Sequence, residues 1–317
     1  MMASERNWQW AATVGAFCFA TTAVVAGPLL PQRVARDAKW VLHLDGEAFL
    51  KTEVGKHIAD TIFERELGKL NKGLKKDFDS EIAWRKTTSL TIYGTEFKAN
   101  GVPNGVVIVE GDVGITDTLD KVWQKEQDQS FALAADLQVV EETGGRLYIW
   151  KKEQYGTSLG KNLFALARSK EELAHAKAVF AGKEPSLGKP GSKLATTLEP
   201  VLEVRTPQGL EGAEFSREVA ILKRCNDGRL VMAEKDNDVQ LDLHLTTNDK
   251  NVATQIRQVL QGIISLGLLS GEGDQDLKKL ATSASVGGDA SEISLKLHMS
   301  SEDLIKKIGT GKQHAKK

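Results

Sequence analysis

The sequence predicts an α+β fold: two ferredoxin-like β-α-β-β-α repeats with antiparallel sheets and extra strands between them. Three observations predict it. Short apolar runs alternate with period two, as strands with one covered face do. Longer segments repeat their apolar residues every three or four positions, as amphipathic helices do. The order strand, helix, strand, strand, helix then occurs twice, once in the first half and once near the C-terminus.

In the first repeat, Trp40, Leu42 and Leu44 alternate with Val41, His43 and Asp45, which reads as a strand. Leu50, Val54, Ile58 and Ile62, continued by Leu67, Leu70 and Leu74, read as one long helix. Leu90–Tyr93 and Val106–Val109 are strand-like, separated by turn signals at Asn100-Gly101 and Pro103-Asn104-Gly105. A short helix through Leu119, Val122 and Trp123, capped by Thr116 or Asp117, closes the unit.

In the second repeat, Val239, Leu241, Leu243 and Leu245 alternate with Gln240, Asp242, His244 and Thr246. Val252, Ile256, Val259, Leu260 and Ile263 make a helix opened by Thr247 or Asn248. After a break at Gly271-Glu272-Gly273 come a helical turn around Leu277 and Leu280, a hairpin of Ser283–Val286 and Ile293–Met299, and a last helix through Leu304, Ile305 and Ile308. Between the repeats, Arg146–Lys151, Leu163–Ala167, Glu218–Arg224 and Arg229–Ala233 read as strands, the last two joined by an Asn226-Asp227-Gly228 turn. A helix carries Leu173, Ala176, Val179 and Phe180. Residues 27–182 and 193–317 are thus read as two α+β domains, with the Gly-, Pro- and Ser-rich stretch 183–192 as linker.

Residues 1–26 read as a signal peptide. Asn7 to Gln32 carries no charge, Arg6 precedes it, and Val24-Val25-Ala26 places small residues before a cut. The alternative is an uncleaved inner-membrane anchor over residues 8–30, against which stand Thr13, Thr21, Thr22, Pro28 and Pro31, and the positive residues Arg33, Arg36 and Lys39 on the far flank. The expected location is the periplasm or cell envelope, with membrane contact only if the leader is retained.

Charged residues make up 27% of the chain with a net charge of −1, so no basic face for nucleic acid is expected. The basic cluster from Lys306 to Lys317 reads as a solvated tail. Cys18 departs with the leader, leaving Cys225 without a disulfide partner, in the expected hairpin turn beside Arg224 and Asn226.

Gly156-Thr157-Ser158-Leu159-Gly160 matches the G-x-S-x-G nucleophile elbow, which exposes a serine where a strand turns sharply into a helix. Here a strand-like run follows, so the Gly-rich loop reading is preferred and Ser158 stays an alternative nucleophile. Leu42-His43-Leu44, Leu243-His244-Leu245 and Leu297-His298-Met299 offer His43, His244 and His298 as metal ligands. Strand alternation sends each imidazole to the face opposite its apolar neighbours, expected to be solvated, with His244 and His298 at opposite sheet ends. Asp236-Asn237-Asp238 and Asp274-Gln275-Asp276 lack calcium-loop spacing and read as turns. Gly309-Thr310-Gly311-Lys312 departs from the phosphate-loop pattern. No cofactor is implied.

With these elements placed, "WVLHLDGEAFLKTEVGKHI" from Trp40 to Ile58, "SLTIYGTEF" followed by "GVVIVEGD", "RLYIW" and "VQLDLHLTTNDKNVA" resemble a family of exported bacterial proteins with a domain of unknown function. The resemblance covers most of the chain after the leader and consists of patterning. It implies export and a duplicated α+β layout, and carries over no functional residue. The expectation is therefore a non-enzymatic exported protein that binds a protein partner or a small apolar ligand. A serine hydrolase using Ser158 is the alternative.

Overall fold

The computed structural model describes residues 27–97, 105–127, 137–142, 145–151, 153–188, 198–269 and 275–314. Strand-forming runs with one apolar side pair edge to edge into a single sheet of twelve strands, all neighbours antiparallel. In chain order the strands are β1 (Trp40–Asp45), β2 (Thr87–Gly94), β3 (Val106–Gly111), β4 (Leu137–Glu142), β5 (Gly145–Trp150), β6 (Gln154–Gly160), β7 (Leu163–Ala167), β8 (Leu202–Arg205), β9 (Asp227–Lys235), β10 (Asp238–Thr246), β11 (Ser285–Gly287) and β12 (Glu292–Ser300). Across the sheet they run β11-β12-β10-β9-β8-β1-β2-β3-β7-β6-β5-β4. The helices are α1 (Gly46–Lys51), α2 (Glu53–Ile58), α3 (Glu64–Phe78), α4 (Ile115–Gln127), α5 (Lys170–Phe180), α6 (Lys250–Leu269), α7 (Gln275–Ser283) and α8 (Ser301–His314). The class is α+β, as the alternating periods predict.

The strands divide their side chains by parity. Leu44, Leu90 and Val109 face a core closed by Phe49, Phe63, Leu67, Leu74, Phe78 and Trp84. Farther along the same face, Leu245 and Ile293 meet Val252, Ala253 and Ile256 of α6. On the opposite face Val41, Tyr93, Ile108 and Ala165 pack against Leu29, Val34 and the Leu173–Ala176–Val179 stripe of α5.

The expected long first helix is interrupted twice. Thr52 is extended (φ −78°, ψ 153°), and its hydroxyl accepts from Gly55 N, so α1 ends and α2 begins at one residue. Ala59–Phe63 then forms a π turn before α3, which stops at Asp79 in the left-handed region (φ 46°). The capping positions also shift. The fourth helix begins at Ile115, ahead of both expected caps, and at α6 the Asp249 carboxylate accepts from Asn251 N while Thr247 braces the preceding turn.

The strand expected over Glu218–Arg224 is a 3-10 helix, Arg217–Arg224. Adjacent Ile221 and Leu222 both pack on the α6 core, which a turning chain allows and an alternating strand does not. β9 instead makes its hairpin with β10, at the other end of the strand, turned by Asp236 (φ 53°) and Asn237 (φ 62°) as in a type I′ turn. Strands β4 and β8 were not foreseen, and Gly156–Gly160, expected as a loop, lies inside β6.

The two units share their element order but not their strand order. In the first, β1, β2 and β3 are successive antiparallel neighbours, because α1–α3 leave from Asp45 and return opposite it, at Ser89. In the second, β12 sits between β10 and β11 and is antiparallel to both, so β10 and β11 are parallel, a split β-α-β arrangement. Both halves lie in one sheet, joined where Val41–Leu44 pairs with Leu202–Arg205. The start of the expected linker is also bonded, Leu187 N to Val34 O and Arg36 N to Pro185 O. The leader, the Asn100-Gly101 turn, the linker beyond Gly188, the Gly271-Glu272-Gly273 break and Asp274 fall outside the described residues. Gly309–Lys312 lies within α8.

Candidate functional site

Where β1, β8, β9 and β10 turn their leucines toward the helices, their polar residues line up in register on the other face. His43 stands between Thr91 and Glu203, and Glu203 leads across Val231 to Asp242. One pair along, Arg205 faces Arg229, which faces His244. Two like charges directly opposite destabilise a sheet. Glu203 resolves this, because Arg205 Nε and Arg229 Nε both donate to its Oε1. The carboxylate is only 2% exposed, so its charge is tolerated because it is paired twice.

His43 is expected in solvent and is instead 5% exposed. Gly27 O, which can only accept, lies 3.2 Å from Nε2, so Nε2 carries the proton. Nδ1 then accepts from the Thr91 hydroxyl at 2.9 Å. Burial lowers the pKa of this imidazole and keeps it neutral, against weaker opposing effects from the Gly27 hydrogen bond and from Glu203, Asp45 and Glu110. With Nε2 protonated and Nδ1 occupied, the ring presents no lone pair to a metal.

The three histidines share a face, as alternation predicts, but do not converge. His43 is three strands from β10, or about 14 Å at the usual strand spacing. His244 pairs with Ser294 and His298 with Gln240, four residues apart on β10 and so about 13 Å apart along it. His298 Nδ1 is 2.9 Å from Asp238 Oδ2 at the β9–β10 turn. His244 Nε2 lies 3.0 Å from Asp242 Oδ1, off hydrogen-bond direction, and both atoms are buried without another partner. Among the described residues, no group of three His, Cys, Asp or Glu side chains is arranged to hold a metal.

Ser158 sits at a register irregularity late in β6, and its hydroxyl donates to Gly160 O at 2.9 Å. A hairpin through Asn162 (φ 60°) leads straight into β7, so the strand–turn–helix context of an elbow is replaced by strand–turn–strand. The alternation of Tyr155, Thr157 and Leu159 was the signal for this strand. Cys225 ends the 3-10 helix, 2% exposed among the α6 contacts, and burial pushes its thiol up to about 11.

Two surface features were not read from the sequence as sites. An open groove of about 350 Å³ between the end of α3 and the start of α4 is lined by Lys75, Asp79, Ser80, Glu81, Thr118 and Lys121. Its mixed charges do not suit an apolar ligand. The end of α6 is different: Ile263 is 46% exposed, Leu266 70%, Leu268 43% and Leu269 81%. At 100° per residue Ile263, Leu266 and Leu269 share one side of the helix, and Leu268 points away from them. No charged residue occurs from Gln258 to Gly271.

No protein-family model and no curated protein matches the chain. Among solved structures it is similar to crystal form III of TP0453, with a TM-score of 0.50 and 11% identity over 90% of this chain and 99% of that one. Crystal form IV of TP0453 gives a TM-score of 0.49 and 10% identity over 89% and 97%. At such identity the likeness to form III shows an α+β fold shared over nearly the whole length, and only the fold.

Proposed function

We propose that this is an exported, non-enzymatic interaction protein of the periplasm or cell envelope. Its contact with an apolar partner is made by the free end of α6. Export rests on the leader: an uncharged run behind Arg6, ending in Val24-Val25-Ala26. The interaction rests on one observation, the four large side chains at the end of α6 that the fold leaves in water. A fully buried leucine stabilises by about 1.5–3 kcal/mol relative to an exposed one, so a partner that covers this end gains several such terms. A contiguous apolar patch of this kind marks a contact surface rather than scattered surface residues.

A second reading draws on the composition of the same helix. Lys250–Leu269 has a mean hydropathy of 1.2 over its apolar window, long enough to cross a membrane by length and composition, and 22% of that window is buried. The partner is then a lipid surface, reached without the leader. The hydrolase alternative gains no support, since the Ser158 hydroxyl is engaged by its own hairpin backbone. The ferredoxin-like likeness is kept for the β10–β12 unit alone.

The test is the double variant Leu266→Asp, Leu269→Asp. It should fold with unchanged circular dichroism, because both side chains are exposed, and should leave the envelope fraction that retains the parent protein. Flotation of the parent with phospholipid vesicles identifies the lipid reading. A double variant that stays in the envelope like the parent would overturn the α6 contact.

A further inference from the structure

Among the described residues, the large apolar side chains left exposed are those at the end of α6 and one other, Val140 of β4, at 42%. Val140 lies on the last strand of the sheet order, so one side of β4 has no strand beside it among the described residues. Sheet edges are normally blunted by shortness, proline, bulges or unpaired charge, because their open N–H and C=O groups template pairing with another chain. The opposite edge follows this rule. There β11 has only three residues, and His298 N on the neighbouring β12 is taken by the Ser283 hydroxyl at 3.2 Å.

The β4 edge does not follow it. Leu137–Glu142 contains no proline and pairs with β5 residue for residue, without a bulge. Its two acidic residues are each paired within the chain, Glu141 with an Arg146 guanidinium that Asp120 shares. Glu141 accepts from Arg146 Nε at 2.7 Å, and Glu142 lies 2.8 Å from Lys170 Nζ and 3.6 Å from Lys177 Nζ. The Lys170 hydrogen bond holds the Glu142 carboxyl below its ordinary range.

We infer that β4 is an interface between two copies of this chain, which pair antiparallel through this edge about a two-fold axis normal to the sheet. Opposed residues in an antiparallel pair share a face, and rotation about that axis keeps each face on its own side. A register centred on Val140 therefore sets Val140 against its own counterpart, Val139 against Glu141, and Gln138 against Glu142. No like charges stand directly opposite, and the exposed valine is covered by itself. Main-chain hydrogen bonds supply the affinity in strand addition of this kind, and the alternate side chains set the register.

The test is the solution mass of the exported chain, without its leader and so without Cys18, by light scattering over a concentration series. The parent should rise to twice its single-chain mass. Val140→Lys, which opposes two ammonium groups on the axis, should stay at the single-chain mass with unchanged circular dichroism. Val140→Cys should form a disulfide-linked dimer under mild oxidation that the parent, with its buried Cys225, does not form. The Leu266→Asp, Leu269→Asp variant should still dimerise, which separates this edge from the α6 contact. A monomeric parent would overturn the inference. So would a Val140→Lys protein that dimerises like the parent, or dimerisation lost only in the α6 variant.

Discussion

Glu203 holds together two guanidinium groups that the strand register would otherwise set against each other. Arg205 and Arg229 are 15% and 11% exposed, so water does little to screen them once the carboxylate is gone. Breaking a buried charge cluster by removing one member costs about 3–5 kcal/mol. Glu203→Ala should therefore lower the unfolding free energy by roughly that amount in a denaturant titration; a loss under about 1 kcal/mol would mean that the cluster is solvated. His43 makes a separate prediction in pH. Its folded pKa lies below the unfolded 6.5, so the unfolded chain binds the extra proton and stability is lost as pH falls through 6.5 and below. His43→Gln should show a shallower fall in melting temperature over that range than the parent. Parallel curves would contradict a buried, neutral imidazole. Strand alternation in the sequence was enough to place His43, His244 and His298 on one face. The burial of His43 was not legible, because the carbonyl of Gly27, 16 residues upstream, is brought onto the ring by tertiary packing. The Glu203 cluster was missed although Glu-Val-Arg at 203–205 puts two charges on one strand face. Its third member lies 26 residues further on.

At the scale of elements, periodicity and turn signals found β1, β2, β3, β5, β7, β9, β10, β11 and β12 and most of the helices. Periodicity failed where a polar residue interrupts a stripe. Leu50 to Leu74 keeps its apolar spacing, yet Thr52 turns the chain by bonding to both ends of the break, and Gly55 is the residue that permits this. A Cβ at Gly55 would lie 1.8 Å from Phe49 O and 2.6 Å from the Thr52 hydroxyl, both fixed by the junction itself. Gly55→Ala should therefore destabilise by about 1–3 kcal/mol, the usual cost of overpacking a well-fitted site. Equal stability in thermal melts would show that the α1–α2 junction relaxes freely. Arg217–Arg224 shows the opposite failure: its Val219–Ile221 spacing imitates a strand, while Leu222 beside Ile221 was the sign of a turn.

For the whole molecule, element order was legible and strand order was not. The sequence β-α-β-β-α is compatible with a meander and with a split β-α-β, and the two halves of this chain adopt one each. Nor does local patterning say that β1 pairs with β8, the contact that makes one sheet of what reads as two domains. On that continuous sheet α6 packs through Val252, Ala253 and Ile256. The same helix runs on to Leu269 with its apolar side chains uncovered. If this end meets an apolar partner in the envelope, the emission of a solvatochromic dye on Leu266→Cys reports it, with the same dye on Lys183→Cys, an exposed position, as reference. On addition of envelope material from the producing cell, the dye at 266 should shift to the blue while that at 183 stays unchanged. Unshifted emission at 266, with the protein folded and the envelope present, would show that the end of α6 meets no apolar partner there.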